Sequence, residues 1–226
     1  ACNKKPATST SEPAPTPRAI VTFTFDDNNP NVFNLGLPLF DQYDFKATLY
    51  PVINWSPDWE ALRAAAANGH EIGSHTMSHP NLAELTEEEQ RRELGEAKAR
   101  IEEEIGMACT TIAYPFCATI DTAIVGEYYK AGRICSGEIV LPGYEDKLNI
   151  SSVLCGSEGL NSLEAICEQL EKAAETGGWF TFLFHGIDDD SYSPVTAELL
   201  GEILAYLDAN RDRYTVLTFR DAAAID

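Results

Sequence analysis

Ile20 to Asp27 reads IVTFTFDD, an apolar and β-rich run of strand length that stops on two adjacent carboxylates. Outward from it, strand-like runs alternate with helical patterns. A mixed segment through Tyr43 leads to the strand Lys46 to Tyr50, and Ser56-Pro57 offers an N-cap and first-turn proline for a helix through about Ala67, closed by Asn68-Gly69. The next helix opens on the capping box Thr86-x-x-Glu89, aligns Leu94, Ala97, Ile101 and Ile105 on one stripe, and ends at Gly106. Its outer face offers the i,i+4 pairs Glu87/Arg91, Glu88/Arg92 and Glu96/Arg100. A strand near Thr111 to Ala113, a helix near Asp121 to Ala131, and strands near Arg133 to Cys135 and Leu148 to Val153 follow. A helix from Ser162 to about Glu175, the apolar strand Trp179 to Phe184, a helix from Pro194 to about Leu207 and the strand Tyr214 to Phe219 complete the chain. This is an α/β order, whose strands pair mostly in parallel through right-handed crossovers. About seven such units suit one closed or nearly closed (β/α) barrel, with an open doubly wound sheet as the alternative. Either way, ligand sites gather at the carboxyl ends of the strands.

The chain has 226 residues, 44% of them hydrophobic, enough for a sizeable core. Its 16 basic and 36 acidic residues leave a net charge of -20, the opposite of what neutralising a phosphate backbone requires, so nucleic acid is excluded as a partner. No apolar run approaches the ~20 residues of a membrane-spanning helix. Asn3 to Pro17 reads NKKPATSTSEPAPTP, too poor in apolar residues to offset its ordering entropy. Residues 1–18 are therefore expected as a flexible linker and 19–226 as a single catalytic domain. Ala1-Cys2 ahead of such a linker resembles a bacterial lipoprotein processing site, which implies export to the cell surface or periplasm and a lipid anchor at Cys2; the alternative is a chance cysteine. The other cysteines, Cys109, Cys117, Cys135, Cys155 and Cys167, form no C-x-x-C pair, so a thiolate zinc knuckle is not indicated. In an exported protein one or two disulfides are allowed, their connectivity open, and buried free thiols are the equal alternative.

Of the four histidines, three fall within Gly69 to His79, GHEIGSHTMSH. His75 and His79 are close enough for one turn to aim both imidazoles at a single ion, as zinc or a similar divalent metal prefers. Neighbouring carboxylates such as Asp26 and Asp27 raise each other's proton affinity unless a cation relieves them; a plain strand-to-loop turn is the other reading. His185 ends its apolar strand as the aspartates end theirs, or else is a buried histidine bonded to a carbonyl. Taken together these residues make one carboxylate and two imidazoles, with a spare acid or base of each type, all at strand ends. His70 is read as structural.

TFDD at Thr24 to Asp27, GHEIGSHTMSH, AYPF at Ala113 to Phe116 and LFH at Leu183 to His185 resemble, in order and spacing, the motifs of the polysaccharide deacetylases. The resemblance spans about residues 19 to 222. It implies a distorted, parallel (β/α) barrel and a metal-dependent carbohydrate esterase. Asp27, His75 and His79 then match the metal ligands, Asp26 the catalytic base, His185 the general acid, and Phe116 the residue whose backbone N–H helps hold the oxyanion. One divalent ion is implied; the ligand set suits zinc, and cobalt, nickel or iron can occupy it. The implied reaction removes an N- or O-linked acetyl group from a carbohydrate (a chitin-type oligomer, peptidoglycan or acetylated xylan) with water activated on the ion. Alternatives are a metal-dependent amidase on a non-sugar substrate and a non-catalytic glycan-binding surface protein. A non-haem iron oxygenase fits poorly, because Asp27 stands far before the histidines. The match has departures. Ala113 stands where an arginine often orients the base, Cys117 replaces a glycine, Asn28 replaces the glycine after the aspartates, and no aspartate partner for His185 is evident beyond Asp146 and Asp188 to Asp190. Trp55, Trp59 and Trp179 are either sugar-stacking or core aromatics.

Overall fold

In a computed structural model, which describes residues 18–225, β1 (Ala19–Asp26) separates two kinds of side chain by strand alternation. Val21, Phe23 and Phe25 face the helices, where Phe23 stacks on Phe182 at 4.6 Å between centroids and meets Phe40 edge-on at 5.0 Å. Thr22, Thr24 and Asp26 point the other way, and Thr22 accepts a hydrogen bond from the Trp179 indole at 2.7 Å. Both faces are buried, as a central parallel strand requires. The expected linker over residues 1–18 and the anchor at Cys2 lie, Arg18 apart, outside the described residues.

Every pairing between named strands is parallel. β1 pairs with β7 (Trp179–Phe184) along one edge. On its other edge, β2 (Thr48–Tyr50) takes the carboxyl half and β8 (Tyr214–Leu217) the amino half. β3 (Glu71–Ile72) follows β2, and a bridge from Ser74 to Ile112 carries the wall on to β4 (Thr111–Ala113) and its partner β5 (Ala131–Arg133). A second bridge, Arg133 to Ile150, leads into β6 (Val153–Leu154), which returns to β7. The result is the expected barrel rather than an open sheet. Its distortion comes from the shared edge of β1 and from the two single-bridge joints.

The helices α1 (Leu37–Gln42), α2 (Trp59–Ala67), α3 (Glu87–Ile105), α4 (Thr122–Val125), α5 (Leu163–Thr176), α6 (Ala197–Ala209) and α7 (Phe219–Ala223) carry the outer layer. Among the described residues no helix is long and apolar enough to cross a membrane. Sequence reading placed some boundaries wrongly. The N-cap of α2 is Asp58, because Ser56 takes a left-handed backbone (φ 52°). The helix expected over 121–131 stops at Gly126, since the next residues turn inward to bury Tyr129, whose hydroxyl donates to Leu94 O at 2.8 Å. Arg100 pairs with Glu104 and lies over the Trp59 ring instead of pairing with Glu96. The strand expected to reach Cys135 ends at Arg133, and the one expected near 148–153 pairs only over Val153–Leu154.

The Thr86 hydroxyl caps α3 by accepting from Glu89 N at 3.2 Å. Thr86→Ala should cost about 1 kcal/mol and lower Tm by about 2–4 °C in calorimetry, with the far-UV spectrum unchanged.

Candidate active site

At the carboxyl end of β1, alternation would send Asp27 to the face opposite Asp26. A positive φ of 70° at Asp27 breaks the extended backbone and brings both carboxylates to one place. Asn28 pins the turn: its side chain accepts from Val52 N at 2.8 Å and donates to Val52 O at 2.9 Å. His75 and His79 arrive on an irregular loop after β3, not on a helical turn, with Thr76 (φ 72°) and His79 (φ 60°) left-handed. Thr76 Oγ1 accepts from His79 N at 3.0 Å. Glu93 of α3 accepts from Met77 N, Ser78 N and Ser78 Oγ at 3.0, 3.0 and 2.6 Å, holding the loop between the two imidazoles.

His75 Nε2 lies 3.5 Å and His79 Nε2 3.8 Å from Asp27 Oδ1, and the three donor atoms lie within 4.8 Å of one another. Donors about 2.1 Å from a tetrahedral ion would stand about 3.4 Å apart, so the cluster has the dimensions of a divalent metal site. Asp27 Oδ1 is buried without a hydrogen-bond partner. Burial and the Asp26 charge push the Asp27 carboxyl up to about 7. His75 donates from Nδ1 to Ala113 O at 2.7 Å, which leaves the Nε2 lone pair facing Asp27. Burial pushes His75 down to about 4 against the pull of Asp26, and lowers His79 as well, so both imidazoles are neutral donors. These residues fit a divalent cation.

Asp26 stands beside this cluster, its Oδ2 3.6 Å from His75 Nε2. Arg133, fully buried at the end of β5, grips both Asp26 oxygens at 2.6 Å and donates also to Thr24 Oγ1 at 2.9 Å, with its guanidinium over the Tyr50 ring. Burial alone would raise the Asp26 carboxyl, but the Arg133 charge and hydrogen bonds, with His75, hold it well below the usual carboxylate range. The arginine absent at Ala113 is thus supplied from the neighbouring strand. The sequence signal was an arginine at a strand end among apolar neighbours, a position where a buried guanidinium calls for an anion. Glu93 carried no such signal, since other glutamates of α3 also lack a basic residue at i+4.

His185 ends β7 next to this group, and burial lowers it while the Asp26 charge raises it. Its Nδ1 is buried without a partner. The candidate aspartates are engaged elsewhere: Asp146 with Asn149, Asp188 with Ala197 N, Asp189 with Ser191, while Asp190 is exposed. Phe116 is left-handed (φ 56°) in the turn after β4, with its ring edge-on to His79 at 4.7 Å and 69% exposed. His70 is structural, as read: Nδ1 accepts from Ala47 N at 3.0 Å and Nε2 meets Asp41. Cys117 and Cys135 form a disulfide, and Cys109 and Cys155 are buried free thiols.

A parallel barrel with a His-His-Asp cluster beside a second, ion-paired carboxylate at its strand ends defines a class of barrel whose mouth has the donors and dimensions to fit a divalent cation. Residues 14–132, more than half of the chain, match the family model described as polysaccharide deacetylase, and the chain belongs to that family. It is 30% identical over 88% of its length to a gellan lyase of Bacillus sp., covering 9% of that protein. It is 33% identical to the peptidoglycan-N-acetylglucosamine deacetylase of Bacillus cereus (strain ATCC 14579) over 44% of this chain and 37% of that one. The chain spans well under half the length of these curated relatives. The Xyl-CE4 domain of a multidomain xylanase from the hindgut metagenome of Trinervitermes trinervoides shares the fold, with a TM-score of 0.65, 17% identity, and coverage of 92% of this chain and 93% of that domain.

Removing the guanidinium would strand a buried carboxylate. Arg133→Ala should lower the unfolding free energy by about 3–5 kcal/mol in urea denaturation, well beyond the effect of an exposed Arg92→Ala.

Proposed function

We propose that this domain removes acetyl groups from a carbohydrate by metal-assisted hydrolysis. One observation carries the reading: a buried carboxylate kept ionised by Arg133, 3.6 Å from a ligand imidazole, is needed for proton transfer and for neither metal nor glycan binding alone. A divalent ion, for which the two imidazoles and one carboxylate suit zinc, would polarise the acetyl carbonyl and acidify water when bound to Asp27, His75 and His79. Asp26 takes the proton of the attacking water, and Arg133 fixes its two oxygens for that purpose. The Phe116 backbone N–H, presented by the left-handed turn, faces developing negative charge on the carbonyl oxygen. His185, whose proton affinity burial lowers and the Asp26 charge partly restores, protonates the departing amine or alkoxide.

Exposed aromatics support a glycan. Trp55 stacks on His79 at 4.9 Å and is 47% exposed, while Tyr192 stands edge-on to His185 at 5.2 Å and is 61% exposed. With Phe116 they form apolar walls at both ends of the site, suited to pyranose faces. Trp59 and Trp179 are not part of this: Trp179 is buried in the barrel and Trp59 lies under Arg100. Relatives named for peptidoglycan N-acetylglucosamine and a neighbour from a xylanase support an acetylated glycan, with amide and ester both within reach of the chemistry. The gellan lyase match, at 9% of that protein, supports a shared module and not lyase chemistry. The disulfide supports export, because such bonds persist in oxidising compartments, in keeping with a lipid anchor at Cys2.

The test is acetate release from N-acetylglucosamine oligomers and from acetylated xylan, with and without a chelator. Release should stop on chelation and return with zinc, and Asp26→Asn should lower kcat about 10²–10⁴-fold while metal binding by calorimetry persists. Chelator-resistant release would exclude the mechanism, and metal binding with no release from any acetylated glycan would exclude the substrate class.

A further inference from the structure

We propose that the Cys117–Cys135 disulfide positions the active site, by holding the turn against His79 in a left-handed conformation and tying it to the strand that carries Arg133. Phe116 and Cys117 are successive residues with φ 56° each, a region that L side chains with a Cβ adopt at a cost and that glycine adopts freely. Neither residue is Asn or Asp, whose short polar side chains ease that conformation. Burial does not hold the turn, because the Phe116 ring is 69% exposed. Its own backbone supplies only Cys117 N to Tyr114 O at 3.0 Å and Ala118 N to Pro115 O at 3.2 Å. Beyond the edge-on contact of the Phe116 ring with His79, the strongest remaining restraint is covalent: Cys117 is joined to Cys135, with Cα atoms 5.7 Å apart.

Both ends of this link touch the site. On one side, Phe116 packs on His79, and Ala113, three residues earlier, accepts the Nδ1–H of His75. On the other, Cys135 lies two residues beyond Arg133, whose guanidinium grips Asp26. Ala113 already pairs with Arg133, and Tyr114 N donates to Arg133 O at 3.2 Å; the disulfide extends that link past the end of the strands to the turn itself. Breaking it frees Cys117 to leave φ 56°, which withdraws the Phe116 ring and N–H and loosens His79. Glycine at position 117 would keep the turn without any bond. This proposal rests on the reading of the pocket as a hydrolytic metal site.

Two variants lack the same bond and differ only in what the turn prefers: Cys135→Ser, and Cys135→Ser combined with Cys117→Gly. Zinc affinity by calorimetry and kcat for acetate release are measured on both, with Tm as a folding control. Cys135→Ser should bind zinc about 10-fold more weakly and lose about 10–100-fold in kcat, and the double variant should recover most of both losses although its Tm stays low. Equal losses in the two variants, or none in either, would overturn the positioning role and leave the hydrolytic reading standing. Wild-type protein that binds zinc but releases no acetate would overturn the hydrolytic reading, and the zinc affinities of the variants would still decide the role of the disulfide. Wild-type protein that binds no zinc would overturn both.

Discussion

The buried ion pair between Asp26 and Arg133 is the constraint on which the mouth of the barrel depends. Two charged groups are taken out of water there, and only mutual bidentate contact makes that tolerable. The pair fixes more than itself. It joins the end of β1 to the end of β5 across the barrel, sets a negative charge beside His75, and, together with burial, raises the proton affinity of Asp27. The threonine-lined inner face of β1 and the ring of Tyr50 are consistent with it, since each offers the guanidinium a polar or π partner.

Around that pair the chain spends conformational freedom on left-handed residues. Asp27, Thr76, His79, Phe116 and Cys117 all have positive φ, and all touch or carry the site. Concentration of such residues at strand ends is how a regular barrel aims side chains that strand alternation would scatter. Each is over-determined by a neighbour: Asn28 braces the aspartates, Glu93 the histidine loop, and Cys135 the turn of Phe116. Site geometry is therefore a property of the supports as much as of the ligands.

Legibility followed the same division. Alternating strands and helices announced the parallel barrel, and Thr86, Gly106 and the apolar stripe of α3 were read correctly because capping and periodicity are local. Local signals failed where packing overrode them, as at the helix cut short by Tyr129 and at Arg100, drawn to Trp59 and Glu104. Arg133 went unrecognised as the support of Asp26 because the two are 107 residues apart and no motif spacing connects them. His185 follows β7 at the same end of the barrel as the aspartates, yet its Nδ1 has no partner: Asp146, Asp188 and Asp189 are engaged elsewhere and Asp190 is exposed.

What the amino-acid order determined alone was the menu: a parallel α/β barrel, and clustered imidazoles and paired carboxylates at strand ends, since periodicity and residue chemistry act over a few positions. Tertiary structure decided which charge neutralises Asp26, which cysteines join, and which tryptophan reaches solvent. Those outcomes depend on segments meeting through space, where burial, charge pairing and backbone handedness must be satisfied together.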